Sequence, residues 1–232
     1  PAHVSNPEAY EFYLKAKHKY EKPSNEDDIE IAKGFLNKAI EIDDDLVDAK
    51  NLMGTILTSK GDIEKAMTYF SAALEKSKQL NYRKGEADSF LNISGYYFRK
   101  EESETSKLNI DKALEIYEEQ NDKDGIGRAY IEYANHYWKK NDLETAVEYD
   151  KKSLALYEEL GDLEGVAINL CGIGIYHSDI LKDYDAALAK FERAQNIFEE
   201  NGYKRHMPYS LNNMISIELK TGNYSTAINH LE

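Results

Sequence analysis

The chain has 232 residues, 41% hydrophobic and 31% charged, with a formal net charge of −14. That balance disfavours nucleic acid and anionic membrane surfaces as partners, since both are held by clustered Lys and Arg. A single cysteine, Cys171, excludes an internal disulfide framework and a four-cysteine zinc site, and no apolar run approaches the roughly 18–20 residues that span a bilayer.

The first element opens at Asn6-Pro7-Glu8-Ala9-Tyr10 and reads as a capped helix with Pro7 in its first turn. The clusters Glu26-Asp27-Asp28 and Asp43-Asp44-Asp45 read as helix-start and linker charges. Between them Ala32-Leu36-Ala39 introduces a spacing: a small residue, a bulky one four on, a small one three further. It returns as Ala66-Phe70-Ala73, Ser106-Ile110-Ala113, Ala146-Asp150-Ser153 and Ala187-Phe191-Ala194. The first member advances by 34, then by 40, 40 and 41, and Ala227-Leu231 lies 40 beyond the last. A fixed period of this size predicts stacked supersecondary units.

Each repeat reads as two amphipathic helices. Leu52, Met53, Ile56 and Leu57 fall at helical spacing, and Lys60-Gly61-Asp62 then breaks the pattern, with Asp62 placed to cap the next helix. The break recurs at Asn141-Asp142, Lys182-Asp183 and Gly222-Asn223. Second helices run long, as from Ala146 to Leu160, and end at Asn81, Asn121, Gly161 and Gly202, residues that tolerate the left-handed conformation closing a helix. Gly85, Gly125 and Gly165 read as a second turn signal. The small residues of the triads let helices approach closely, while Tyr and Phe fill the gaps. The expected fold is an all-α α-solenoid, a right-handed superhelix of antiparallel helix pairs with eleven or twelve helices. It forms one repeat domain over 1–232, with repeats near 7–44, 45–83, 84–123, 124–163 and 164–204 and a partial one at 205–232. Pro1 is not a natural start, and the pattern is incomplete at Glu232, so the sequence reads as a fragment of a longer protein.

The pattern Met53-Gly54-(x)2-Leu57, Gly61-Asp62, Ala66-(x)3-Phe70-(x)2-Ala73 resembles the tetratricopeptide repeat (TPR). The resemblance covers about 10–225, and the 40-residue repeats are similar to a longer variety found in bacterial regulators and eukaryotic polarity scaffolds. Several positions depart from it: Ser94 and Ala134 replace the mid-helix Gly, Asp150 replaces the bulky aromatic, Lys182-Asp183 carries a one-residue insertion, and Glu101-Glu102 stands for the Gly-Asp turn. The opening Asn6-Pro7-Glu8-Ala9-Tyr10-Glu11-Phe12-Tyr13-Leu14-Lys15 resembles the start of the repeat region in bacterial class III nucleotidyl cyclases and some kinase or transcription-regulator chains.

No phosphate loop, zinc-protease motif or nucleophile turn is present. Asp122-Lys123-Asp124-Gly125 faintly resembles a calcium loop, but in that register the twelfth residue is Ile131 where Glu is required, so it reads as an inter-repeat turn. His136 and His177, 41 apart, are either a metal pair or packed imidazoles. Cys171, amid apolar residues, reads as a buried inert thiol. The resemblance implies that first helices line a concave groove in which equivalent positions form columns. The middle rungs then combine Phe98, Arg99, Arg128, Asn135, Trp138 and Lys139, and Arg with aromatics is what interface hot spots favour. The alternative is that Trp138 packs between helices and the cations offset nearby Glu. The expectation is a non-enzymatic, cytoplasmic interaction module that takes a protein or peptide ligand in its groove, with no cofactor, metal, nucleic acid or membrane. The other reading is a regulatory region of a multidomain signalling enzyme. Neither the partner nor the oligomeric state is legible.

Overall fold

The chain is divided into helices by backbone geometry that repeats at half the sequence period. The computed structural model describes residues 6–25 and 27–230. Among them the left-handed positions are Gly61, Asn81, Glu101, Asn121, Asn141, Gly161, Lys182, Gly202 and Gly222. Successive positions are 20 apart except for one step of 21, from Gly161 to Lys182. After each of these except Lys182, the next backbone N–H donates to a carbonyl five residues back, as in Asp62 to Leu57 (2.9 Å), Tyr82 to Ser77 (2.8 Å) and Tyr203 to Phe198 (2.9 Å). This closure satisfies carbonyls that the helix end would leave unpaired.

The result is twelve α-helices and no strand among the described residues. The chain forms two compact units, residues 1–132 and 133–232. The first holds α1 (Pro7–Glu21), α2 (Asp27–Ile42), α3 (Val47–Ser59), α4 (Ile63–Gln79), α5 (Arg83–Arg99), α6 (Ser103–Glu119) and the start of α7 (Lys123–Lys139). Its helices pack as α1 on α2, α3 on α4 and α5 on α6, with α2 on α3 and α4 on α5 joining the pairs. The second holds the rest of α7, α8 (Leu143–Leu160), α9 (Leu163–Tyr176), a π-helical turn (His177–Leu181), α10 (Tyr184–Asn201), α11 (Met207–Thr221) and α12 (Tyr224–Asn229). There α8 packs on α9, α9 on α10, α10 on α11 and α11 on α12.

The triads are the buried seams of these pairs. Ala32, Leu36, Ala39, Ala73, Ala113, Ala187, Phe191 and Ala194 have no exposed surface, and Ala66, Phe70, Ser106, Ile110, Ala146, Asp150 and Ser153 are all buried. Leu231, which would continue the pattern, and Glu26 lie outside the described residues. The acidic clusters are tied to cations. Asp28, buried, accepts from Lys19 Nζ (2.7 Å) and the Ser24 N–H (2.6 Å); Asp44 pairs with Lys50, and Asp45 with Lys76 (2.7 Å).

Three sequence expectations change. Asp62 occupies the N-cap position of α4, but its carboxylate makes no capping hydrogen bond, whereas Asp142, Asp162 and Asp183 do cap α8, α9 and α10. Gly85, Gly125 and Gly165 are not turn residues. They lie inside the first turn of α5, α7 and α9, where a methyl group would come closer than 3.0 Å to the rings of Tyr82, Tyr117 and Tyr157 respectively. The one-residue insertion before Asp183 is absorbed upstream, by the π-helical turn: the Asp183 N–H reaches back six residues to His177 instead of five.

Glu101 (φ 64°) and Lys182 (φ 55°) are the left-handed positions held by neither glycine nor asparagine, and Glu101 stands where the flanking repeats place a Gly-Asp or Asn-Asp turn. An L-residue pays roughly 1–2 kcal/mol there, part of which glycine's extra unfolded-state entropy returns. Glu101→Gly is therefore expected to raise stability by roughly 0.5–1 kcal/mol in a denaturant titration. Unchanged or lower stability would contradict the assignment of strain to that turn.

Candidate functional site

In the first unit, Phe98 and Arg99 end α5 and Arg128 lies on α7. Phe98 is half-buried; Arg99 is exposed and forms no ion pair among the described residues. Arg128 is not presented as a bare cation. Its guanidinium pairs with Asp88 of α5, lies 3.0 Å from the Tyr117 hydroxyl, stacks over the Tyr117 ring at 5.5 Å and reaches Asp124 at 3.4 Å. The Tyr117 hydroxyl donates to the same Asp88 carboxylate (2.6 Å). Burial would lower the Arg128 pKa, but Tyr117 and Asp88 reverse this and hold the guanidinium well above its ordinary range. One repeat earlier the equivalent carboxylate meets a neutral donor from a different position: the hydroxyl of Tyr82, which precedes α5, donates to Asp48 (3.2 Å), whose pKa is raised by burial and then by Asp88.

In the second unit, Asn135 and Lys139 are exposed and Trp138 is half-buried. The Trp138 indole N–H is spent inward, on the carboxylate of Asp150. Asp150 is 5% exposed and stands where Phe70 and Phe191 stand in other repeats. Its second oxygen, Oδ2, has no hydrogen-bond partner and fills the space over Gly172, where a methyl would come closer than 3.0 Å to it. Burial pushes Asp150 up to about 7, against the pull of the Trp138 N–H. Next to Gly172, Cys171 is fully buried, and burial together with Asp150 pushes its thiol up to about 12, which suits an inert thiol. His136 is buried edge-on against Tyr137, and His177 lies in the π-helical turn; among the described residues no three His, Cys, Asp or Glu side chains are placed to hold a metal. No helix of the described residues is long and apolar enough to cross a membrane.

Sequence reasoning named Arg128 and Trp138 but missed what holds them. The signal for Arg128 lay in the repeat itself: Asp88 is its equivalent one repeat earlier, 40 residues back. The signal for Trp138 was Asp150, a carboxylate at a core position that needs a donor.

The repeat geometry is matched by sequence. Family models of the tetratricopeptide repeat match residues 47–78 and 125–200. This is a tetratricopeptide-repeat protein. Solved structures agree with the fold of this TPR chain. BtubC (BKLC) from P. vanneervenii has a TM-score of 0.62 at 16% identity, over 96% of this chain and 86% of that one. A Rap protein complexed with Competence and Sporulation Factor has a TM-score of 0.78 at 17% identity, over 96% and 62%. A Signal Transduction ATPase with Numerous Domains from Pyrococcus horikoshii, with a tetratricopeptide repeat sensor, has a TM-score of 0.66 at 17% identity, over 98% and 40%. A search of curated protein sequences gives no match.

Asp150 gives this TPR chain a defined pH dependence. Below about pH 4 the carboxyl is protonated folded and unfolded alike. As pH rises from there to about 7, the unfolded chain releases the proton and the folded chain keeps it, so folding loses stability; above about 7 the loss is complete. Asp150→Asn keeps an acceptor for Trp138 and removes the titration. Its stability is expected to gain on the wild type between about pH 4 and 7, by up to on the order of 4 kcal/mol, and to run parallel above. Parallel curves across the whole window would contradict a buried, neutral Asp150.

Proposed function

We propose that this chain is a protein-interaction module that binds peptide or protein segments on the faces of its first helices. Supporting this, each unit carries an exposed cation next in sequence to a half-buried aromatic on a first helix: Arg99 after Phe98 in the first unit, Lys139 after Trp138 in the second, with exposed Asn135 one turn earlier. A ligand with Asp or Glu beside an apolar side chain suits either place, because Arg and Lys can take the carboxylate while the ring offers apolar contact. Arg128 contributes differently: its charge is already matched by Asp88, so its role in this reading is to hold the Tyr117–Asp88 wall in place, with Arg99 as the available cation of the first unit. The structural neighbour complexed with Competence and Sporulation Factor is consistent with ligand recognition by this fold. A second reading, a sensor region within a multidomain signalling protein, rests on the opening Asn6–Lys15 segment and on the neighbour whose repeats are a sensor.

Trp138→Ala is an unsuitable test, because it strips Asp150 of its donor. The exposed cations are the clean probes. A random-peptide library panned on the full chain is expected to yield sequences with a carboxylate next to Leu, Phe or a similar anchor. Arg99→Glu or Lys139→Glu should weaken the selected peptide by about tenfold or more by fluorescence anisotropy, with the circular dichroism spectrum unchanged. Selected peptides that bind both variants as tightly as wild type would overturn the first-helix site.

A further inference from the structure

The first unit has a second surface with the properties of a docking site, on its second helices. Second helices α4 and α6 both pack on α5, and the three helices line a trough of about 560 Å³. Its floor is apolar: Phe90, Ile93 and Tyr97 of α5. Leu108 of α6 lines it while 51% exposed. The equivalent positions in the flanking repeats are Thr68 and Glu148, so an apolar side chain here departs from the polar surface pattern of the repeat.

Two lysines flank that floor. Lys78 of α4 and Lys112 of α6 reach in from opposite walls, each with Nζ 5.3 Å from the centroid of the Phe90 ring. Neither makes an ion pair or a hydrogen bond to a carboxylate among the described residues. In a chain of net charge −14, these two lysines share one aromatic ring instead of a carboxylate. A cation over a ring keeps most of its charge available. The one carboxylate in the trough, Glu75, is held by Gln79 along its own helix (3.3 Å).

The trough's walls fix the shape of what fits. Along α4 the lining runs from Met67 to Lys78, which at about 1.5 Å per residue is a length of about 16 Å, or three turns of a helix. A groove of that length, apolar below and bordered by helices, is the geometry that takes an amphipathic helix. We propose that the α4–α5–α6 trough is a second docking surface, distinct from the first-helix faces, for an amphipathic acidic helix of a partner protein. Leu or Phe side chains at helical spacing enter above Phe90 and Leu108, and flanking Glu or Asp side chains meet Lys78 and Lys112.

The test uses the full chain and a synthetic amphipathic peptide of about four turns, with Leu along one face and Glu beside it, labelled for fluorescence anisotropy. The control is the same peptide with Lys for Glu. The acidic peptide should bind and the basic one bind at least about tenfold more weakly. Lys78→Glu with Lys112→Glu should invert that preference, and Leu108→Asp should weaken the acidic peptide by about tenfold or more. Arg99→Glu should leave it unchanged, which separates this surface from the first-helix site. Amide chemical shifts of Phe90 and Leu108 should move on titration. The proposal is overturned if the acidic peptide fails to bind at about 1 mM, if both peptides bind alike, or if only Arg99→Glu weakens it. It is also overturned if the wild-type chain self-associates in sedimentation and Leu108→Asp abolishes this, since the trough would then be covered by a second copy.

Discussion

Several contacts within and between these repeats depend on a steric match between an aromatic ring and a missing side chain. Tyr82, Tyr117 and Tyr157 lie against Gly85, Gly125 and Gly165; Phe70 lies against Gly54 and Phe191 against Gly174. In each case the ring occupies the space where a methyl would sit. Helix packing at close range is favourable because dispersion is lost steeply with any gap. The rings therefore act as both filler and gauge of helix separation. Where the mid-helix glycine is replaced, the opposing residue is smaller as well: Ser94 corresponds to Ile110, and Ala134 to Asp150. The departures from the repeat pattern come in compensating pairs, and the seam stays buried throughout.

That packing also decides which polar groups remain available for binding. The Tyr117 ring is fully buried, yet its hydroxyl emerges beside Asp88, and this pair captures the Arg128 guanidinium. Trp138 is drawn inward by the same logic, since a carboxylate buried at a core position is costly without a donor. What is left for a partner are the cations beyond those networks. On first helices these include Arg99; on second helices they include Lys78 and Lys112, braced on Phe90.

The fold was legible because its determinants are local. The triads, the left-handed helix ends at Asn81, Asn121, Gly161 and Gly202, and the 40-residue period are all one-dimensional signals, and each appears where the sequence places it. The half-period was less visible, because Glu101 and Lys182 occupy left-handed positions without the residue types that announce them. Gly85, Gly125 and Gly165 were open to misreading for a related reason. A glycine serving close approach looks the same in sequence as one serving a turn, and only the opposing tyrosine tells them apart. The candidate site was less legible than the fold. Column positions follow from the period, but whether a cation on a column is open or engaged depends on a residue in another helix, as Arg128 and Asp88 illustrate. The α4–α6 trough was hidden because three helices supply it, and its one sequence trace is Leu108 in a polar register.

One chemical change at two sites tests the role of the ring-on-glycine contacts. Gly95 in α5 has nothing within 4 Å of a would-be methyl, whereas at Gly125 the methyl would meet the buried Tyr117 ring, which Asp88 and Arg128 hold in place. Chemical denaturation of Gly95→Ala and Gly125→Ala should give opposite signs. Gly95→Ala should gain up to about 1 kcal/mol from helix propensity, and Gly125→Ala should lose roughly 1–3 kcal/mol to overpacking. Stabilisation by both substitutions would contradict the account, because the ring would then be free to move and the glycine would not set the helix spacing.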